Sequence, residues 1–316
     1  MTTKQTNIGN MQTGYGQRRK IANIVVYIIL AAMVLIWIFP IVWLVFQSFN
    51  GKEGVSLNTF FPEVWTFDNY IKLFRQTGAE NPMLPISDTN PEIVLSLDRM
   101  PFPYGRWLLN TFIVAVFSCL ISTLIILMVS YALSRLRFKS RKMLMNFGLI
   151  LGMFPGFMSM AAIYNIMEII GLGKQLFSLV IVYSSGAGLG YQIAKGFFDT
   201  IPRSLDEAAK IDGATRNQIF WIIILPLSKP IIVYTALTTF LGPWADYVFV
   251  SYFMKGDDEK YTVAMGLYEM LRPETMNEWF TVFCAGAVLI AVPITILFTI
   301  MQRFYVAGVT GGAVKG

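Results

Sequence analysis

The side chains that most often carry out acid–base and metal chemistry are scarce in this sequence of 316 residues. Histidine, the commonest general base and metal ligand near neutral pH, is absent. The two cysteines, Cys119 and Cys284, lie in apolar runs, so we expect them to pack rather than to form a metal cluster or a disulfide framework. Gly173-Lys174 lacks the upstream glycine and the following Ser or Thr of a phosphate-binding loop. The sequence therefore predicts that this chain has no catalytic site, no metal site and no nucleotide site.

The stretch from Glu207 to Pro226 has residue types suited to contact with another protein. Ser204 and Glu207 have the spacing of a capping box, which predicts the start of a helix. Asp212-Gly213 predicts its end, because glycine is the usual residue just past a helix C-terminus. Thr215 and Gln218 repeat the capping box and predict a second helix that runs to Pro226. The apolar positions of the first helix are Leu205, Ala208, Ala209 and Ile211.

Two interpretations of this exposed pair of helices are possible. Small residues allow the groove of another protein to approach the helix backbone closely, which favours docking. The alternative is an interfacial helix on lipid headgroups, and such helices usually have a strongly basic polar face. The small residues and the balanced charge of this stretch favour docking.

Asp246 is an ionisable residue deep within an apolar run. Carboxylates inside a membrane usually face the bundle interior or water and mark a pathway. We expect Gly242-Pro243-Trp244 to break the helix, and aromatic side chains such as Trp244 and Tyr247 suit the apolar faces of sugar rings. One interpretation places Trp244, Asp246 and Tyr247 on a substrate path. The other interpretation places Asp246 in a water-filled outer vestibule. In that case the two aromatic residues anchor the chain at the membrane–water interface.

These residues must be positioned by membrane helices, because 55% of the chain is hydrophobic and only 14% is charged. Soluble proteins contain about 25% charged residues. Crossing the hydrocarbon core takes about 20 apolar residues. Six segments qualify, which predicts an all-α polytopic membrane protein with six transmembrane helices and a first span that is retained rather than cleaved as a signal. The segments are Ile21–Phe46, Trp107–Leu133, Leu144–Ile170, Phe177–Phe198, Ile231–Phe253 and Trp279–Met301.

The distribution of basic residues predicts the orientation of the spans. Sixteen of the 25 Lys and Arg residues fall on the side that holds both termini. Since basic residues are enriched in cytoplasmic connections, both termini are predicted to be cytoplasmic. The net charge of +6 is explained by this bias, so no nucleic-acid partner is expected. The fourth segment is interrupted by Ser184–Gly190, which predicts a place inside the bundle where neighbours can satisfy irregular backbone.

The connections complete the predicted organisation. Residues 1–20 form a cytoplasmic tail, 21–46 the first span and 47–106 an extracellular loop with an insertion at 76–103. Residues 107–303 form the core transmembrane domain with a cytoplasmic loop at 195–229, and 304–316 form a C-terminal tail. In the outer loop we expect Trp65, Phe67 and Tyr70 to pack on the bundle, with contact to a partner as the alternative. Gly148, Gly152 and Gly156 predict close helix packing.

The cytoplasmic loop resembles a known motif. Glu207-Ala208-Ala209, Gly213, Ile223 and Leu225-Pro226 match the EAA loop of ABC importer permeases at every signature position. The resemblance extends from about Trp107 to the end of the chain and is closest to the MalG-like sugar permease branch. It also rests on Asn110-Thr111, Pro155-Gly156 and the glycine-rich C-terminal tail. It implies a type I ABC importer permease fold, from which the insertion at 76–103 departs.

The resemblance also implies partners and roles. The loop residues that would dock on a separate ATPase subunit are Glu207, Ala208, Ala209, Gly213, Leu225 and Pro226. Gly312 and Lys315 in the tail would contact the ATPase dimer. The other implied partners are a second homologous permease in a heterodimer, an extracellular solute-binding protein, a carbohydrate (an oligosaccharide) and the lipid bilayer. ATP and Mg²⁺ would bind the partner ATPase, and no cofactor would bind this chain.

The implied protein is a multi-pass permease of the bacterial cell membrane that imports a carbohydrate by alternating access. A permease for a non-sugar solute of the same superfamily is an alternative. An ion-coupled secondary transporter is less favoured, because that class needs several intramembrane ionisable groups. A membrane enzyme is disfavoured by the absence of any His, Cys or paired-carboxylate constellation in the spans.

Overall fold

The computed structural model describes residues 5–54, 59–74, 102–153, 156–186 and 188–311, and within these ranges regular structure is helical. The helices, numbered in chain order, are α1 (Gln5–Ser48), α2 (Asp68–Phe74), α3 (Tyr104–Arg135), α4 (Arg141–Met153), α5 (Gly156–Ile169), α6 (Leu176–Ser185), α7 (Gly188–Thr200), α8 (Ser204–Ile211), α9 (Arg216–Gln218), α10 (Leu225–Leu227), α11 (Lys229–Ala245), α12 (Val248–Phe253), α13 (Val263–Glu269) and α14 (Met276–Gly311). A π-helix, Ile219–Ile224, joins α9 to α10. The predicted all-α architecture is confirmed.

Among the described residues, three helices are long and apolar enough to cross a membrane without a break. They are Lys20–Ser48 within α1, Tyr104–Arg135 and Met276–Gln302 within α14. They correspond to the first, second and sixth predicted spans. Helix α1 begins at Gln5, so residues 5–20, predicted as a tail, continue the helix of the first span.

Three further candidate spans are helix pairs with a sharp bend. The third predicted span, Leu144–Ile170, corresponds to one such pair, in which Arg141–Met153 and Met158–Ile169 meet at 106°. The sequence has Pro155 between them, and proline lacks the N–H that continues a helix. The fourth span bends by 45° between Leu176–Ser185 and Gly190–Thr200, so the predicted interruption at Ser184–Gly190 is confirmed.

The fifth predicted span, Ile231–Phe253, is also broken. Its main helix is α11, and the chain then leaves helical geometry at Asp246 before α12 begins. The predicted break at Gly242-Pro243-Trp244 is therefore misplaced, because α11 accommodates Pro243 and ends at Ala245. At its other end α11 meets the segment Arg216–Leu227 at 83°, the third bent pair.

Helix α3 is central to the bundle, and its outer end holds the connection between the fifth and sixth spans. The Trp107 indole N–H donates to Asp258 O at 2.7 Å, and the Asn110 amide donates to Glu259 O at 2.8 Å and Tyr261 O at 3.1 Å. The backbone N–H of Val263 donates to Thr111 Oγ1 at 2.8 Å. Asn110-Thr111 is one of the sequence features on which the family resemblance rests. In the structure these two residues attach the connection to the start of α3.

In the part of the chain that the structure describes, the buried apolar side chains form two clusters. One contains Trp107 and Phe253, with α13 and α14 packed around the outer half of α3. The other contains Tyr131, Phe198 and Phe220 and joins the inner end of α3 to the loop between the fourth and fifth spans. Cys284 is buried and Cys119 Sγ contacts Ala236 O at 3.3 Å, so both free cysteines pack as predicted.

The three aromatic residues of the outer loop that were predicted to pack on the bundle differ in their burial. Tyr70 packs on the bundle, with its hydroxyl 2.7 Å from Ser48 Oγ, whereas Trp65 and Phe67 are mostly exposed.

No neighbour in the described chain lies within 4 Å of a Cβ placed at Gly148, Gly152 or Gly156, so the packing predicted there is not made within the described part of this chain. The insertion at 76–103, apart from its last two residues, lies outside the described residues.

Candidate functional site

The first helix of the predicted cytoplasmic loop is α8, Ser204–Ile211, called the loop helix below. The predicted capping box of Ser204 and Glu207 is wrong. Arg203 occupies the N-cap with helical backbone angles (φ −69°, ψ −20°), and no side chain caps the helix. Ser204 is therefore already inside the helix. Asp206 and Glu207 still lie in its first turn, where negative charge stabilises the helix dipole.

The loop helix ends in a bend that requires glycine. The backbone N–H groups of Gly213 and Ala214 turn back to Lys210 O and Ala209 O, at 3.1 and 2.9 Å. Gly213 has φ 85°, a left-handed conformation that is unfavourable for residues with a Cβ. Apart from its chain neighbours, no atom of the described residues lies within 4 Å of a Cβ built there, so the space around the bend is open within this part of the chain. The predicted role of Gly213 in setting the bend is supported by its backbone angle.

The two faces of the loop helix differ in burial. Asp206 and Ala209 point into the protein and are buried. Leu205, Ala208 and Ile211, spaced three residues apart, point outward, and Ile211 is 86% exposed. Residues three apart lie on one side of a helix, so these three form an apolar stripe, called the outer stripe below. Their apolar character is evident from the sequence, whereas the side of the helix that faces outward is evident only from the structure.

The second loop helix begins as predicted and reaches the membrane through a corner. The Gln218 backbone N–H donates to Thr215 Oγ1 at 3.3 Å and the Thr215 N–H donates to Gln218 Oε1 at 2.7 Å, which confirms this capping box. The π-helix that follows buries Ile219, Phe220 and Ile224 in the inner core cluster and leaves Trp221 and Ile222 exposed. Leu225 packs on that cluster, and Pro226 lies in the first turn of α10, next to the 83° corner. Leu225-Pro226 thus marks the turn from loop to span.

Sequence reasoning missed the residue that joins the loop helix to the bundle. Arg135, the last residue of α3, lies 3.4 Å from Asp206 through Nε and Oδ2, and both side chains are more than 90% buried. Arg135 Nη2 also donates to Phe198 O at 2.9 Å and Ile201 O at 2.8 Å. One guanidinium therefore links the ends of α3 and α7 to the loop helix. From the sequence alone, Arg135 is only one of the basic residues whose distribution predicts the orientation of the spans.

A cavity of about 360 Å³ opens beside this ion pair, between the end of α3 and the loop helix. Its wall is largely charged and polar. The residues around it are Tyr131, Arg135, Leu136, Arg137, Arg203, Asp206, Glu207, Lys210 and Arg216. The predicted docking residue Glu207 is exposed at this cavity, and no ion pair involves it within the described chain.

The three residues predicted for the substrate path have separate environments. The Tyr183 hydroxyl donates to Asp246 Oδ2 at 2.9 Å, and Asp246 Oδ1 accepts the backbone N–H of Phe249 at 2.9 Å. Asp246 therefore caps the start of α12 and links it to α6. Trp244 is 6% exposed, and its indole nitrogen has no hydrogen-bond partner within the described chain. The ring of Tyr247 packs on that of Tyr268, with centroids 4.0 Å apart.

The predicted tail contacts, Gly312 and Lys315, lie outside the described residues.

Comparison with known proteins identifies the family. Residues 122–311 match the family described as "Binding-protein-dependent transport system inner membrane component". The chain is 34% identical over 300 residues to the galactooligosaccharides transport system permease protein GanQ of Bacillus subtilis, with 95% of this chain and 98% of that protein covered. It is 32% identical to the maltodextrin transport system permease protein MalD of Streptococcus pneumoniae, with the same coverage.

A solved structure shares the fold. It is a chain of a bacterial ABC transporter involved in the import of the acidic polysaccharide alginate, with a TM-score of 0.71, 21% identity and coverage of 90% of this chain and 97% of that one. The predicted type I permease fold is confirmed by this likeness together with the family match. The chain thus belongs to the family of binding-protein-dependent transport system inner membrane components, the non-enzymatic permease subunits of ABC importers, in which a separate subunit hydrolyses ATP.

Proposed function

We propose that this chain carries an oligosaccharide across a bacterial cell membrane, and that the loop helix couples this movement to an ATPase subunit. The outer stripe is the observation that carries the coupling. Ile211 is 86% exposed and Leu205 is 41% exposed at the end of the bundle where basic residues are enriched, next to an open glycine bend. An apolar helix face of this kind fits a hydrophobic groove of another protein.

The proposed docking assigns a role to each residue of the loop motif. Ala208 in the outer stripe allows close approach, while Ala209 packs the helix on the inner core cluster. Glu207 is free to pair with a basic group of the ATPase. Gly213 sets the direction of the second loop helix, and Leu225-Pro226 passes the movement to the fifth span. ATP and Mg²⁺ bind the ATPase, and closure of its dimer moves the loop helix, which drives alternating access.

The proposed assembly contains further partners. Apolar side chains of α1 such as Tyr27 and Trp37 are highly exposed within this chain, so they need lipid or another membrane subunit around them. We infer a second, homologous permease that forms a heterodimer with this chain. A solute-binding protein delivers the substrate at the outer face, and Gly312 and Lys315 reach the ATPase dimer from the C-terminal tail.

The sugar substrate rests on the relatives and on the chemistry of one region. The related permeases from B. subtilis and S. pneumoniae are named for galactooligosaccharides and maltodextrin. At the break between α11 and α12, the half-buried carboxylate of Asp246 lies between Trp244 and Tyr247 in the chain. Sugar rings have apolar faces for aromatic contact and hydroxyl groups for hydrogen bonds. We therefore propose that the oligosaccharide passes this break, where Asp246 and Tyr247 are half-buried and Trp244 is buried.

The bend at Gly213 provides the test of coupling. Uptake of labelled maltodextrin and galactooligosaccharide is measured in cells that contain all transporter subunits. Gly213→Trp is expected to abolish uptake while the protein stays in the membrane, because a side chain at φ 85° strains the bend and fills the docking space. Gly171→Trp is the matched control, since Gly171 has φ 76° and equally open surroundings at the opposite, outer end of the third span.

Two outcomes would count against the proposal. Normal uptake by Gly213→Trp, together with uptake that ionophores alone abolish, would exclude coupling to an ATPase through this loop. Failure of both oligosaccharides to compete for uptake, while a non-sugar solute does so, would exclude the sugar assignment and leave the coupling intact.

A further inference from the structure

The cavity beside the loop helix has an excess of positive charge. Five basic residues and two acidic residues line it. Arg135 is neutralised by Asp206, so one acidic residue, Glu207, remains for the other four basic groups. These four side chains are exposed and form no ion pair with any described part of the chain. They are Arg137, Arg203, Lys210 and Arg216.

The general preference for basic residues on the cytoplasmic side does not explain this arrangement. That preference concerns the number of Lys and Arg residues in short connections and is satisfied wherever they lie. Here the four groups come from the end of α3, both ends of the loop helix and the start of α9, and they converge on one cavity. Like charges held close together repel one another, so an arrangement of this kind is more stable when an anion enters it.

The position of the cavity indicates the source of the anion. It adjoins the loop helix, whose outer stripe faces away from the bundle, and Lys210 lies on the same helix as that stripe. A protein that covers Leu205 and Ile211 therefore comes within reach of the basic groups as well. Carboxylates are the anions that a protein surface offers, and charge-assisted bonds from guanidinium groups to them are strong.

We propose that this cavity receives an acidic side chain of the ATPase subunit, which is held by Lys210 and Arg216 while the outer stripe occupies the groove of that subunit. This inference rests on the proposed function and adds a second, electrostatic contact to the apolar one. In the same proposal Glu207 pairs with a basic group of the ATPase. Charges of both signs then fix the register of the loop helix on that subunit.

The test measures retention of the ATPase subunits on the affinity-tagged permease in the purified full transporter at increasing NaCl. The double variant Lys210→Gln/Arg216→Gln is expected to retain the ATPase about tenfold more weakly at moderate salt and to show a smaller dependence on salt. The control is Lys139→Gln/Lys142→Gln, which removes two exposed basic groups, one just before α4 and one in its first turn, that do not line the cavity. This control is expected to behave as the wild type.

The outcomes separate the two proposals. If the wild type retains no ATPase subunit at any salt concentration, the proposed coupling is wrong and this contact falls with it. If both double variants retain the ATPase as the wild type does, only the acidic contact is overturned. A Lys210→Gln/Arg216→Gln variant that keeps the ATPase but binds phosphatidylglycerol nanodiscs less stably identifies a lipid headgroup as the occupant and also overturns the contact.

Discussion

Arg135 and Asp206 form an ion pair buried beneath the loop helix, with 3.4 Å between Nε and Oδ2. Asp206 lies in the first turn of that helix, whereas Arg135 ends the central helix of the bundle. Because Arg135 also binds two carbonyl groups at the end of α7, its position is fixed from three sides. The loop helix is thus attached to two membrane spans through a charge on its inner face.

Removal of Asp206 should destabilise the permease. Asp206→Ala leaves the Arg135 guanidinium buried without a counter-charge, which costs about 3–5 kcal/mol in comparable pairs. We expect a lower melting temperature of the detergent-solubilised protein. Glu207→Ala is the control, since it removes the other first-turn carboxylate, which is exposed and unpaired within the described chain, and the melting temperature of this variant should fall far less than that of Asp206→Ala. Equal melting temperatures for both variants would mean that the pair does not hold the loop helix.

Ile211 should contribute to ATPase binding without contributing to the fold. Ile211→Ser removes an apolar side chain that is 86% exposed, so the melting temperature of the isolated permease should not change. The affinity for the ATPase should fall by about 10- to 150-fold, because a fully buried Ile at an interface contributes about 1.5–3 kcal/mol. Ile169→Ser changes an equally exposed isoleucine, 84%, at the end of α5 and should retain the ATPase normally. Equal retention by the two variants would rule out docking through the outer stripe.

Asp246 should affect transport through its charge. Asp246→Asn keeps an oxygen that can accept the Phe249 N–H, whereas Asp246→Ala loses both that bond and the bond from Tyr183. If the residue lines the sugar path, both variants should change the KM or the maximal rate of oligosaccharide uptake. Wild-type kinetics for Asp246→Asn with a defect in Asp246→Ala would reduce Asp246 to a helix cap. Tyr183→Phe, which removes only the hydroxyl, measures the contribution of that single bond.

Gly266 should not tolerate even a methyl group. A Cβ at this position would lie 1.9 Å from Cε3 of the buried Trp107 ring, so Gly266→Ala must displace that ring and its bond to Asp258 O. Overpacking of this kind costs about 1–3 kcal/mol or more, and we expect a lower melting temperature and less protein in the membrane. Gly148→Ala, where the Cβ meets no neighbour, serves as the control. A wild-type melting temperature for Gly266→Ala would show that the contact is easily relieved.

The sequence was sufficient to predict features that depend on local chemistry. Apolar length gave the spans, and the Gly-rich run Ser184–Gly190 gave the bend in the fourth. The capping box of Thr215 and the glycine bend at Gly213 were predicted because they depend on neighbouring residues alone. The Ser204 box failed for a local reason as well: the backbone at Arg203 is already helical, so Ser204 does not occupy the extended position that a cap needs.

The remaining features depend on contacts between distant parts of the chain. The pairing of Arg135 with Asp206, and that of Tyr183 with Asp246, requires helices from different spans to meet, which no pattern along the sequence states. The break in the fifth span was predicted at Pro243 because proline usually disturbs a helix. In the structure α11 continues through Pro243 and ends at Ala245. The inward face of the loop helix was likewise decided by packing, which buried Ala209 and exposed Ala208.

Helix α3 contacts the outer connection at one end and the loop helix at the other. Its first turns hold the outer connection through Trp107 and Asn110, and its last residue, Arg135, holds the loop helix. A continuous helix of 32 residues extends about 48 Å, longer than the hydrocarbon core is thick. A tilt of about 5° of this helix as one body would move one end by roughly 4 Å relative to the other. Such a tilt would carry a displacement of the loop helix to the outer connection without any change of conformation within α3.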